Sequence, residues 1–173
     1  MSEQVTRGPG RWMMILAWIA GIVLATQLFA LWEKRQHNPN REPVSRHEAN
    51  RVEVELVRNA SGHFVLDGRI NGRPATLLVD TGATDVAVPQ ELADRLGLPA
   101  GSPVLLSTVN GTVTGYRSRL DSLRMGDIEL RDVRAVIAPG MDTDEVLLGM
   151  SALRQLEFTQ RGGSLVLRQY KDH

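Results

Sequence analysis

An apolar run without a single charged residue extends from Trp12 to Trp32, and water solvates such a run poorly. At about 1.5 Å per residue, a helix over 12–32 is about 32 Å long, which matches the hydrocarbon core of a bilayer. Tryptophan lies at both ends of the run, where amphipathic rings favour the headgroup region, and basic residues flank it. We therefore predict one transmembrane helix over 12–32, preceded by a short N-terminal tail over 1–11.

Two other interpretations of this run are a buried core helix and a cleaved signal peptide. An amphipathic helix of a soluble domain keeps a polar face, and this run has none. The V-L-A sequence at 23–25 resembles a cleavage site, but the apolar run continues to Trp32, which favours an uncleaved anchor. Basic residues are similarly frequent on both sides of the run, so the positive-inside rule does not give its orientation.

Polar residues dominate the segment over 33–51, which also contains Pro39 and Pro43. The segment lacks apolar periodicity, and this predicts a polar tether without a core of its own. The pattern changes at Val52, where we place the start of a folded domain.

Short strand-like runs alternate with turn residues from Val52 onward, which predicts a mainly β domain over 52–173. Asn-Gly dipeptides tolerate positive φ and predict tight hairpin turns at 71–72 and 110–111. Local patterns also predict two short helices within the domain. These helices are Gln90–Leu98 and Ser151–Leu156.

Composition excludes several kinds of site. The 20 basic residues equal the 20 acidic residues in number, so no basic excess indicates a nucleic-acid partner. Without Cys, the chain has no disulfide framework, no thiolate nucleophile and no zinc–thiolate site. The four His residues are not spaced as ligands on one helix, and we expect neither a metal nor an organic cofactor.

The sequence L-L-V-D-T-G-A-T-D over 77–85 places the carboxylate of Asp80 at the end of an apolar run. A carboxylate in such a position is costly unless hydrogen bonds or opposite charges compensate it. A simple explanation is a turn in which the Asp80 side chain accepts a backbone N–H two residues on. The tripeptide Asp80-Thr81-Gly82 taken alone favours this turn interpretation.

Two further segments change that balance. A second apolar strand, V-L-L-G-M-S-A-L over 146–153, enters a predicted helix, and a candidate hairpin over 107–116 lies between it and Asp80. In this order and spacing, the three segments resemble the retropepsin-like aspartic proteases (clan AA), particularly the bacterial branch with one N-terminal membrane anchor. The resemblance covers about 60–170. It implies a mainly β, retropepsin-like acid-protease barrel with one or two short helices.

The resemblance also implies a chemistry for the Asp80 loop. In an aspartic protease two carboxylates share one proton, so that one activates water and the other donates to the scissile carbonyl. The chain has one Asp-Thr-Gly sequence, so the second Asp80 would come from a second copy in a homodimer. By resemblance, Thr81 would hydrogen-bond across that dimer, and Gly82 would let the substrate backbone approach.

Further positions are implied to bind substrate. The hairpin would close over the peptide as a flap, although an exposed hairpin without a ligand is the alternative. For Asp85, a solvated surface charge is an equally good interpretation. The positions are Ala83, Asp85, Val109, Asn110 and Gly111.

The sequence also departs from the retroviral pattern. Retroviral enzymes commonly pair an Asp after D-T-G-A with an Arg after the glycine of the second strand, and here these positions are Thr84 and Met150. Both members of the ion pair are missing together. No C-terminal strand matches the retroviral dimer sheet, and L-V-L-R-Q-Y over 165–170 is expected to pair within its own domain.

These observations together predict an aspartic endopeptidase that is a homodimer and is held in a membrane through 12–32. Its partner is a polypeptide substrate. By resemblance to the bacterial branch, we expect an inner-membrane protein with its protease domain in the periplasm. The alternative is a non-catalytic peptide-binding or adaptor module on the same fold, although such a module has no need of a costly carboxylate at Asp80.

Overall fold

The computed structural model of the chain describes residues 10–108 and 111–171. The chain divides between Gln36 and His37 into two compact units.

The first unit consists largely of one helix, α1 (Gly10–His37), which contains the predicted span over 12–32. Its 28 residues include a window with a mean hydropathy of 2.2, and it is long and apolar enough to cross a membrane. Large apolar side chains along it are exposed, including Trp12 and Trp32 at the two ends of the predicted span. This apolar helix is consistent with a membrane anchor.

The segment predicted as a tether over 33–51 is more ordered than its composition suggests. Helix α1 extends into its start, and β1 (Ser45–His47) pairs with the next strand. Between them, the Asn40 side chain donates to the carbonyls of Val57 and Val65 and accepts from the Val57 amide, at 2.7–2.9 Å. Asn40 therefore satisfies main-chain groups of the domain instead of bonding water.

The described part of the second unit contains the remaining strands and two short helices. In chain order these are β2 (Arg51–Val57), β3 (Val65–Ile70), β4 (Arg73–Val79), β5 (Val86–Pro89), α2 (Gln90–Leu96), β6 (Pro103–Thr108), β7 (Gly111–Met125), β8 (Ile128–Ala138), β9 (Glu145–Leu148), α3 (Met150–Leu153), β10 (Glu157–Arg161) and β11 (Ser164–Tyr170).

The strands form two sheets. Seven of them follow the order β3-β4-β9-β5-β8-β7-β6, and an additional pairing of β3 with β7 closes part of this sheet on itself, as in a barrel. The other sheet has the order β1-β2-β11-β10. Strand β11 pairs with β2 and β10, which confirms that the C-terminal strand pairs within its own domain.

One hydrophobic core holds both sheets and the two short helices. Strands β2 and β11 alternate buried and exposed residues, so that each gives one face to the core. Strand β5 is buried on both faces, as expected for a strand inside a sheet that is covered on both sides. The fully buried side chains include Leu56, Leu66, Leu77, Leu123, Ile137, Leu148 and Leu167.

The local predictions within this domain mostly hold. The Asn71-Gly72 hairpin joins β3 to β4 with φ of 49° and 78°. The helix predicted at Gln90–Leu98 is α2, which ends at Leu96 and is capped by Gly97, whose φ is 69°. The helix predicted at Ser151–Leu156 is the shorter α3, which begins one residue earlier and ends three residues earlier.

Candidate active site

Asp80 is the first residue after β4, at the edge where two parallel strands end together. Strand β4 pairs in parallel with β9, with Val79 opposite Leu148. The Asp80 amide continues this ladder by donating to the Leu148 carbonyl at 3.2 Å. Parallel pairing of two apolar strands therefore fixes the backbone of Asp80 on a buried scaffold.

The turn after Asp80 is closed by its own side chain. The Gly82 amide donates to Oδ1 of Asp80 at 2.9 Å, and the Ala83 amide approaches the Asp80 carbonyl at 3.3 Å. Asp80 is half-buried, whereas Thr81 and Gly82 are exposed. Among the described residues, no hydrogen bond reaches Oδ2 of Asp80, so this oxygen remains available to a water molecule or a second carboxyl group.

The segment after β9 supports the next part of the turn. The Met150 amide donates to the Ala83 carbonyl at 2.8 Å, and the Ser151 amide donates to the Thr84 carbonyl at 2.9 Å. Gly149 passes so close to the loop that a Cβ there would lie 2.2 Å from the Asp85 carbonyl oxygen. A residue larger than glycine at 149 would push the loop away from β9.

Main-chain hydrogen bonds of Thr84 and Met150 thus connect the Asp80 loop to the segment after β9. The sequence did not predict the ion pair that lies beside them. Asp85 is half-buried, and its Oδ1 lies 3.3 Å from Nε of Arg134 on β8. An ion pair is therefore present one residue beyond the position where retroviral enzymes commonly have one.

Ser151, in α3, connects this helix to β5 and β8. Its hydroxyl accepts from the Val86 amide at 3.0 Å and donates to the Arg134 carbonyl at 2.7 Å. Only the pairing of β5 with β8 brings these groups together, so the sequence around Ser151 gave no signal beyond a polar residue in an apolar stretch. Ser151 and Arg134 therefore support the loop from the neighbouring segments.

The predicted flap corresponds to the hairpin of β6 and β7. Thr108 at the end of β6 pairs with Gly111 at the start of β7. Gly111 begins β7 with φ of 114°. The other two predicted flap positions, Val109 and Asn110, lie outside the described residues.

Other potential sites lie apart from the Asp80 turn. A cavity of 490 Å³ opens between the start of α2 and the loop at 139–144, and Asp80 does not line it. Among residues 10–108 and 111–171, no group of three His, Asp or Glu side chains is arranged to hold a metal ion. The Asp80 turn is therefore the candidate for chemistry that both the sequence and the geometry support.

Comparisons with known proteins show the family and the fold of this chain. A family described as gag-polyprotein putative aspartyl protease matches residues 66–155, which include the Asp80 turn, the hairpin and α3. The chain is also similar to the crystal structure of a retropepsin-like aspartic protease from Rickettsia conorii, with a TM-score of 0.59 and 29% identity. That similarity covers 74% of this chain and 96% of the Rickettsia chain.

Two similar sequences are uncharacterized proteins. One, from Sinorhizobium sp. and named for its place in the region 5′ of cobV, is 33% identical over 125 residues, or 70% of this chain and 54% of its own length. The other, from Rickettsia prowazekii (strain Madrid E), is 28% identical over 121 residues, or 68% of this chain and 52% of its own length. The chain therefore spans about half the length of these curated relatives.

Proposed function

Because this chain belongs to the family described as gag-polyprotein putative aspartyl protease, we propose that it is an aspartic endopeptidase with Asp80 as its catalytic residue. The observation that carries this proposal is the geometry of the Asp80 turn. A half-buried carboxylate follows a buried strand, one of its oxygens is held by the Gly82 amide, and the other has no partner among the described residues. Such a carboxylate is oriented yet open to water.

The reaction requires two carboxyl groups, and each chain supplies one such turn. Two copies related by a twofold axis would bring their Asp80 side chains together, and their repulsion would keep one of them protonated. The ionised carboxylate removes a proton from water as its oxygen attacks the carbonyl carbon, and the protonated one donates to the carbonyl oxygen. Collapse of the tetrahedral intermediate then transfers a proton to the leaving amine and breaks the C–N bond.

Neighbouring residues would assist this step. The exposed Thr81 hydroxyl would reach the second copy and hold the two turns in register. Gly82 lacks a side chain, so an extended peptide could approach the carboxylates, and Ala83 and Asp85 would line its path. The hairpin with Val109, Asn110 and Gly111 would cover the peptide and exclude water from the site.

The proposal extends to the membrane. Helix α1 would anchor the enzyme in an inner membrane through 12–32, with the protease domain in the periplasm. Confinement to one surface would raise the effective concentration of chains and favour the dimer that catalysis requires. An extended polypeptide at that surface is the expected substrate.

The test is cleavage of denatured casein by the full chain in detergent micelles. We expect Asp80→Asn to abolish cleavage, with a loss of at least about a thousandfold, because the amide cannot act as a base. Asp121→Asn is the matched control, since Asp121 is exposed on β7 and the same chemical change there should leave the rate unchanged. Cleavage by Asp80→Asn at the parental rate would contradict the proposal. If the folded parent chain is also silent on this substrate, the result favours the peptide-binding module.

A further inference from the structure

The segment over 37–47 leads from the end of α1 towards β2, and we call it the strap. Its centre is held by Asn40, whose side chain makes three hydrogen bonds to main-chain groups of Val57 and Val65. An asparagine amide does not titrate, so these bonds hold the centre of the strap at any pH at which the domain is folded.

Both ends of the strap are held by histidine. Nε2 of His37 contacts Oε1 of Glu145, and Nε2 of His47 lies 2.9 Å from Oδ2 of Asp127. Glu145 begins β9, and Asp127 lies in the turn between β7 and β8. The two histidines therefore bind the strap to two separate elements of the domain.

We propose that the strap binds the domain in a pH-dependent way, with both ends held by ionic pairs of histidine and carboxylate in mildly acid solution and loosened above neutral pH. A protonated imidazole attracts a carboxylate and donates a charge-assisted hydrogen bond, whereas a neutral imidazole offers a weaker, neutral donor. An unperturbed histidine loses its proton at about pH 6.5. The two pairs therefore weaken as the pH rises through neutrality.

Asp127 is ionised throughout this range. The hydrogen bond from His47, with a smaller contribution from Arg124 at 3.3 Å, lowers the pKa of Asp127 below its usual value. The contribution of the carboxylate to stability is therefore lost only in acid, as the pH falls through its lowered pKa, whereas that of the imidazole is lost as the pH rises. The Asp127 amide also donates to the Ser45 hydroxyl at 2.9 Å, a contact that does not titrate. This end is consequently weakened at high pH but keeps a neutral contact.

Other charged groups at this end of the strap are paired with one another. Arg46 lies 3.5 Å from Glu55, and Arg51 lies 2.8 Å from Glu48 and 3.0 Å from Glu53. Ordinary arginine and glutamate side chains keep their charges between about pH 5 and pH 8. The pH response of this end therefore belongs to its histidine.

The surroundings of His37 lead to the same conclusion. Its carbonyl accepts from the Asn59 side chain at 2.9 Å, a bond that does not titrate. Asn38, the next residue of the strap, donates to Asp67 at 2.8 Å, and Arg41 lies 3.9 Å from the same carboxylate. Ordinary aspartate and arginine side chains also keep their charges between about pH 5 and pH 8. His37 is thus the group whose charge changes near neutrality at this end.

Loosening of the strap would change the connection between α1 and the domain. In the bound strap, Arg46 lies in β1 and pairs with Glu53 of β2. A protease cleaves a segment that is free to enter its active site, and strand pairing prevents this until the segment opens. The connection between α1 and the domain should therefore resist proteases in mildly acid solution and become sensitive to them above neutral pH.

The test is tryptic cleavage of the bond after Arg46 in the full chain, in detergent micelles at about pH 5.5 and about pH 8. Dividing its rate by that of a free peptide with the sequence of 42–51 removes the pH dependence of trypsin itself, and the ratio measures the open fraction of the strap. We expect this ratio to rise about two- to fivefold from the lower to the higher pH, the effect of one exposed ion pair.

Two substitutions assign the effect to His47. His47→Gln keeps a polar side chain but cannot gain a proton, so its ratio should be as high at the lower pH as at the higher pH. The matched control is His63→Gln, because His63 is exposed and lies outside the strap. The same chemical change there should leave the pH response of the parent chain intact.

The His37 end is tested in the variant Asn40→Ala, in which the centre of the strap is released and the two ends hold it. Cleavage after Arg41, again divided by that of a free peptide, should then depend on pH more steeply than cleavage after Arg46 in the parent chain. Adding His37→Gln should remove this excess. Circular dichroism must show that Asn40→Ala is folded, and His47→Gln alone keeps the test decisive if it is not.

Two outcomes would overturn the pH-dependent strap. One is an equal ratio at both pH values in the parent chain, and the other is a full pH response in His47→Gln. Neither depends on cleavage of casein, so this inference and the proposed function are tested separately.

Discussion

One oxygen of the Asp80 carboxylate accepts a hydrogen bond from the Gly82 amide, and this bond can both stabilise the turn and orient the carboxylate. A short turn after a buried strand needs a side-chain acceptor, and a catalytic carboxylate needs a fixed direction. The turn interpretation of Asp-Thr-Gly and the catalytic one are therefore compatible, because the hydrogen bond that closes the turn also orients the free oxygen.

Gly149 allows the Asp80 loop to pack closely against the end of β9, and a single substitution tests this role. In Gly149→Ala the new methyl group would collide with the Asp85 carbonyl, whose oxygen would be only 2.2 Å away. We expect a loss of about 3 kcal/mol in the free energy of unfolding of the domain, because main chain rather than a flexible side chain must move. Urea denaturation followed by circular dichroism measures it.

The control for this change is Gly163→Ala. A Cβ at 163 meets nothing within 4 Å, so the same methyl group should change stability little. Equal stability of Gly149→Ala and the parent chain would show that the loop is not held against β9 as described.

Single residues also mark how far sequence reasoning reaches. Asp80, its turn and the second apolar strand could be predicted, since each is a contiguous pattern of a few residues. Arg134 and Ser151 could not, because they meet Asp85 and Val86 only through the pairing of β5 with β8. The sequence showed that Thr84 and Met150 replace the retroviral ion pair. It did not show the neighbouring ion pair between Asp85 and Arg134.

Elements formed by local signals were predictable, and those formed by distant partners were not. The Asn71-Gly72 hairpin and the stop of α2 at Gly97 follow from residues that adopt positive φ. The segment after α1 lacks apolar periodicity, yet Asn38 and Asn40 are buried at 6% exposure. Composition cannot distinguish an asparagine that bonds water from one that bonds a strand.

The hydrogen bonds of Asn40 give a prediction about how two strands are held together. Its side chain makes three hydrogen bonds to main-chain groups of Val57 and Val65, which connect β2 to β3. Asn40→Ala would leave these groups without partners, and we expect it to lower the free energy of unfolding by about 3 kcal/mol. Thermal denaturation beside Asn50→Ala, a change at an exposed asparagine, checks this. Equal melting temperatures of the two variants would show that the Asn40 contacts do not stabilise the domain.

The whole molecule carries one Asp-Thr-Gly turn, so its proposed activity belongs to a pair of chains. Each chain completes a four-stranded sheet with its own β1, β2, β11 and β10, and it therefore folds its domain without borrowing strands. What a second copy would add is the second carboxylate. Folding of the domain should consequently not require a second copy, whereas activity should.

Mixing active and inactive chains tests this dependence directly. When equal amounts of parent chain and Asp80→Asn are reconstituted together, random pairing leaves about one quarter of the dimers with two Asp80 residues. Casein cleavage should then fall to about half of that given by the same amount of parent chain alone, because each parent chain has an even chance of an inactive partner. Adding Asp121→Asn instead should raise cleavage, since this variant keeps its turn. Undiminished cleavage after adding Asp80→Asn would mean that one chain suffices, and the shared pair of carboxylates would have to be abandoned.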